Sequence, residues 1–170
     1  MDGDDPTLIR DSKSSFHAVP QNMEEVRVPG VIGKAISFDG VNDYIDLPLD
    51  SHPPSGSDYL TISFWTHGNF DSLTNSTLFE SGSALGRHLN VHFPWSNSRF
   101  YWDAGMNNQY DRIEKEDSNY LGVWIYWTVQ KDAELGIMRV YKTANFLQRH
   151  SMIPDLLVVP WKTLGLDPGV

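Results

Sequence analysis

Apolar residues recur in this chain at the period of a strand and almost nowhere at the period of a helix. No window much beyond two turns places them at i, i+3, i+4 and i+7. The clearest strand pattern runs from Tyr59 to Trp65, where Leu60, Ile62 and Phe64 fall on one face and Thr61 and Ser63 on the other. Further short runs rich in β-branched and aromatic residues lie at 77–80, 89–93, 99–103, 123–129 and 136–141, separated by Gly, Pro, Asn, Asp and Ser. Such a chain cannot bury its apolar side chains along helices. It predicts an all-β fold, two antiparallel sheets in a β-sandwich of the jelly-roll kind.

With 170 residues, 40% of them hydrophobic, the chain has the length and composition of one globular domain. Its net charge of −9 lacks the basic footprint that nucleic acid or an anionic membrane requires, so neither is expected as a partner. No run reaches the ~20 apolar residues of a helical membrane span. Cysteine is absent, which removes a disulfide framework and thiolate zinc sites. The acidic start, Met1 to Pro6, does not resemble a secretory signal. The expected setting is a module of a larger exported or cell-surface protein, with the cytoplasm as the alternative.

The stretch from Gly30 to Pro48 reads as two short strands, 35–38 and 44–47, joined by a turn built from Asp39, Gly40, Asn42 and Asp43. It resembles the opening of laminin G-like domains of the concanavalin A-like lectin/glucanase superfamily, commonly written GKALSFDGVDDYVDIP. Residues 59–65 are similar to that family's FTISFWV strand, and residues 124–141 to its pair of late strands. Departures are Ala18 after His17, Tyr126 or Trp127 where histidine is usual, and Ala144-Asn145 at the following turn. The likeness covers roughly residues 7–150. It divides the chain into a sandwich over 1–150 and a divergent tail over 151–170. In that tail the apolar residues 156–159 sit between Pro154 and Pro160, either as an edge strand or as the remnant of a truncated closing strand.

Residues of this chain bear on three chemistries. Retaining glycosidases need two carboxylates about 5–5.5 Å apart. The nearest run to the superfamily's Glu-x-Asp-x-x-Glu pattern is residues 109–114, which begins with Gln109 and lies in a charged stretch, 111–117, that reads as a solvated loop. A catalytic role is therefore not expected. Calcium takes six to eight oxygens from neighbouring loops, and Asp39, Asn42 and Asp43 offer several within one turn. They equally suit plain turn-building, and the resemblance adds that laminin G-like domains often hold calcium at a rim. Residues 103–111, including Asn107 and Asn108, could supply further ligands.

Carbohydrate contact uses aromatic faces together with amides, carboxylates and guanidinium groups. Asn90, His92, Trp95, Arg99, Tyr101 and Asp103 offer these types densely, and strand alternation puts most of them on one outward face. Packing is the competing fate for Trp95 and Trp102. The expected function is a non-catalytic module binding a glycan or glycoprotein, with calcium dependence as what the resemblance implies, a structural or adhesive spacer as the alternative and a glycan-active enzyme the least favoured.

Overall fold

A computed structural model describes residues 8–23, 27–48, 58–68, 75–106, 109–117, 120–144 and 155–160. Among them there is no helix; every regular element is a strand, as the period-2 patterning predicts. The chain divides into two compact units, Met1–Ser57 and Asp58–Val170.

The first unit holds two short ribbons. β1 (Val19–Gln21) pairs antiparallel with β4 (Tyr44–Asp46), and β2 (Arg27–Pro29) pairs with β3 (Lys34–Ile36). The strands expected within residues 30–48 are present but do not pair with each other, which corrects the hairpin reading. The reason lies in the link: seven residues separate β3 from β4, and Asp39 closes them locally, so the two strands leave the turn toward different partners.

The second unit contains two four-stranded sheets. One has the order β12-β11-β10-β5, from β5 (Tyr59–His67), β10 (Trp124–Asp132), β11 (Ile137–Ala144) and β12 (Asp155–Pro160). The other is a meander of β6 (Thr77–Ser83), β7 (Gly86–His92), β8 (Arg99–Met106) and β9 (Gln109–Glu116). All the strand pairs are antiparallel. The backbone of the tail enters the first sheet at its edge, from Lys142↔Asp155 to Ile137↔Pro160.

The sheets bury their facing sides against each other. Val91, Phe100, Trp102, Ala104 and Ile113 come from the meander, and Ile125, Trp127, Val129, Met138 and Val140 from the other sheet; together they form one apolar cluster. Phe100 stacks on Trp127 with centroids 4.7 Å apart, and Phe93 meets Trp127 edge-on at 5.1 Å. The indole N–H of Trp102 donates across the gap to the Gln130 carbonyl (3.3 Å). This is the sandwich that the sequence pattern predicts. Leu60, Ile62 and Phe64 pack against the cluster, while Thr61 bonds Gln130 and Ser63 bonds Thr128 on the opposite face.

The largest departure is β9. The charged stretch 111–117 reads as a solvated loop, yet residues 109–116 form a full-length strand paired with β8. Ile113 enters the core, and Asp111, which shares its side of the strand, reaches Lys131 (3.0 Å). Gly105 permits the close approach: a Cβ there would lie 2.2 Å from the Gln109 carbonyl oxygen and 2.5 Å from the Tyr110 Cα.

Candidate functional site on the outer face of the meander

Strand alternation sends Leu89 and Val91 inward and Asn90 and His92 to the other face of β7. On β8 it sends Phe100 and Trp102 inward and Arg99, Tyr101 and Asp103 to that same outer face. The antiparallel register then places Asn90 beside Asp103 and His92 beside Tyr101. Asp103 in turn faces Arg112 on β9, Tyr101 faces Glu114, and Asn90 faces Glu80 on β6. Five of the six residues expected to contact a ligand, all but Trp95, thus occupy neighbouring positions on one sheet face.

Asp103 is the electrostatic centre. Arg112 grips it with a two-pronged contact, Nε to Oδ1 at 2.6 Å and Nη2 to Oδ2 at 2.7 Å. Arg87 adds Nη1 to Oδ2 at 2.8 Å. The Arg112 guanidinium also lies over the rings of Tyr101 (4.8 Å) and Tyr110 (5.3 Å). These contacts strengthen the charged form, so the Arg112 pKa rises, chiefly through its hydrogen bond to Asp103.

The outward positions are not open to solvent as alternation alone suggests. Asn90 and Asp103 are both 0% exposed, and His92 and Tyr101 are buried. Arg87 and Arg112 cover Asp103, and Arg112 lies over Tyr101, which the period of a strand does not reveal. Asn90 donates Nδ2 to a Glu80 carboxylate oxygen at 3.4 Å, but its own Oδ1 is buried without a partner. Only one other buried side-chain atom among the described residues, Ser81 Oγ, is in that state.

The loop between β7 and β8 frames one end of the face. Trp95 N–H donates to the Arg99 carbonyl (3.0 Å), and the Trp95 ring lies 4.3 Å from that of buried His92. Asn97 Nδ2 donates to the Tyr101 hydroxyl at 2.6 Å. His92 Nδ1 shares a 2.9 Å bond with Thr77 Oγ1. Burial, and then the Arg87 charge, hold His92 below its ordinary 6.5. The neutral ring is therefore native, and its favourable contribution is present above pH 6.5 and declines as pH falls below it. Arg99 pairs with Glu114 at 3.1 Å near the solvent.

Arg112, Arg87 and Glu80 are site residues that the sequence reading missed. Their signal was faint: Tyr110, Arg112 and Glu114 alternate along a stretch with a single strongly apolar residue, Ile113.

The proposed calcium ligands lie in the first unit. Asp39 Oδ1 accepts from the backbone N–H groups of Val41 (2.8 Å), Asn42 (3.1 Å) and Asp43 (3.2 Å), and Asp43 Oδ2 accepts from the Asp39 N–H (2.8 Å). The backbone carbonyl of Asn42 accepts from Asn22. The Asp39 and Asp43 oxygens bond the backbone of the turn itself. No group of three His, Cys, Asp or Glu residues positioned to hold an ion occurs among the described residues. Asn107 and Asn108 lie outside them.

The Asp39 hydrogen bonds lower its pKa below 3.8, the Val41 N–H contributing most. The turn is therefore stabilised above pH 3.8 and loses that support as pH falls through the depressed folded value. Amide exchange read by NMR is expected to show Val41, Asn42 and Asp43 protected at neutral pH, with protection falling toward pH 2 or on Asp39→Ala. Unchanged protection in the variant would assign the turn's order to something else.

Comparison of the chain with protein-family models, with curated proteins and with solved structures returned no match.

Proposed function

We propose that this protein is a non-catalytic recognition module that binds a carbohydrate or glycoprotein on the outer face of β6–β9. The observation that carries the reading is the complete burial of Asn90 and Asp103 on the side of the sheet away from the apolar core. Burying such groups is costly, and a buried ion pair is often no more stable than apolar residues of similar volume. Departures of this kind from a well-hidden core and a wet surface concentrate at functional sites. Trp95 adds the aromatic surface, and Asn90, Glu80 and Asn97 the polar groups, that sugar recognition employs. Asp103 and Glu114 are each held by an arginine, which supports binding over acid/base chemistry.

Kinship with the laminin G-like domains, including their jelly-roll winding, is part of this proposal and rests on residues 30–48 and 59–65. Fold likeness alone assigns no ligand.

A glycan array probed with the intact chain, in calcium and in EDTA, tests the reading. Saturable binding is expected, weakened about tenfold or more by Trp95→Ala or Asn90→Ala, the scale of one lost stacking or buried polar contact. A calcium requirement would bring Asp39, Asn42 and Asp43 back as ligands. Uniformly blank arrays would overturn recognition of sugars. The second reading is a structural spacer, favoured by the way Asp103 satisfies its charge within the protein. It predicts a melting temperature that no saccharide moves.

A further inference from the structure

We infer that the ligand of this face is a neutral saccharide that donates hydroxyl hydrogen bonds to Asn90 Oδ1 and Glu80, and that recognition needs no metal ion; the inference rests on the recognition reading above. The unpaired groups here are acceptors. Asn90 Oδ1 is fully buried and unbonded, and its orientation is forced: turning the amide over would press that oxygen against the Glu80 carboxylate, acceptor against acceptor. Glu80 is exposed and, among the described residues, is held by the 3.4 Å contact from Asn90 Nδ2, so it is a side chain easily moved to admit a ligand.

Guanidinium and amide donors beside Asp103 and Tyr101 are already engaged. The Arg112 fork and Arg87 Nη1 lie on Asp103, and Asn97 Nδ2 lies on Tyr101. A ligand rich in acceptors, such as a sulfate or carboxylate, would find an unpaired acceptor and a carboxylate facing it. A cation would meet two guanidinium groups. With Glu80 and Asp103 balancing Arg87 and Arg112, the cluster favours neither sign of charge. Both oxygens of Asp103 are bonded by guanidinium groups, which do the neutralising that a divalent ion does elsewhere. A sugar ring satisfies the remaining demand: adjacent hydroxyls to Glu80 and Asn90, and an apolar C–H face toward Trp95, one strand pleat away beside His92.

The test titrates the intact chain, in EDTA, with neutral manno-, gluco- and galacto-oligosaccharides and with sulfated and uronate-bearing oligosaccharides, following amide shifts by NMR. At least one neutral series is expected to bind saturably, with the largest shifts at residues 80, 90, 92 and 95. Glu80→Gln, at an exposed position where folding is not at stake, is expected to weaken that binding about tenfold, because it removes a charged acceptor and lets the Asn90 amide turn over. Binding confined to the acidic sugars, or binding of neutral sugars that Glu80→Gln leaves unchanged, overturns this inference while the recognition reading stands. Binding that returns only when calcium replaces EDTA overturns the metal-free claim alone. No binding of any saccharide under either condition overturns both.

Discussion

Trp102→Ala is expected to cost about 3–5 kcal/mol, the range found when a large aromatic is removed from a core that cannot fully collapse. Trp102 is 0% exposed at the middle of the meander, flanked in register by Val91 and Ile113 and 6.0 Å from the Phe79 ring. Its indole also ties the two sheets together through the Gln130 carbonyl. Set against the roughly 5–15 kcal/mol that holds an ordinary domain together, the loss leaves the second unit close to unfolding. Trp102→Phe keeps an aromatic ring in the core and forgoes the cross-sheet bond, so about 1 kcal/mol beyond the lost volume is expected from the bond itself. Urea unfolding followed by near-ultraviolet circular dichroism gives both values. A change below about 1 kcal/mol for the alanine variant would mean that Trp102 does not fill the space between the sheets.

The sandwich was legible because β5 and β10 carry their own pattern. In β5 each second residue is apolar, and in β10 the sequence alternates Ile125, Trp127 and Val129 with Tyr126, Thr128 and Gln130; period 2 needs no partner to be seen. What the pattern lacks is register. Nothing near Asn90 announces that Asp103 will lie beside it, or that Arg112 will reach Asp103, since those neighbours are set by pairings between strands. The same gap explains the first unit, where strands near 27–29, 34–36 and 44–46 were visible but the pairings that take β3 to β2 and β4 to β1 were not.

The failure at β9 has a different physical source. As the outermost strand of its sheet it needs only one deeply buried side chain, Ile113, and its charges are answered by distant residues: Asp111 by Lys131, Arg112 by Asp103 and Glu114 by Arg99. Just beyond its end Asp117 pairs with Lys142 (2.5 Å). An edge strand with polar side chains also resists unwanted pairing with other chains, which further erases an apolar signature. Composition read such a stretch as loop because the counter-charges lie 15 or more residues away in most of these pairs.

Arg112→Leu isolates the electrostatic part of the site. Removing one partner of a buried ion pair leaves a charge without compensation, at roughly 3–5 kcal/mol. Because Arg87 remains on Asp103, the expected loss lies at the lower end of that range. The double variant Asp103→Leu/Arg112→Leu is expected to recover most of it, since apolar residues of similar volume replace buried pairs at little cost or with a gain. Arg87, with its side chain 30% exposed, can then turn to water. Arg99→Leu is the control: its pair with Glu114 has side chains 36% and 48% exposed, and surface pairs of that kind contribute about 0–1 kcal/mol. Unfolding free energies for the parent, Asp103→Leu, Arg112→Leu and the double variant, closed as a double-mutant cycle, give the coupling directly. Coupling near zero would mean that Asp103 and Arg112 do not meet in solution. If instead the double variant is as stable as the parent but no longer binds saccharide, the buried pair is kept for recognition and not for folding. That separation of stability from binding is what a site assembled on a sheet face, away from the core, should display.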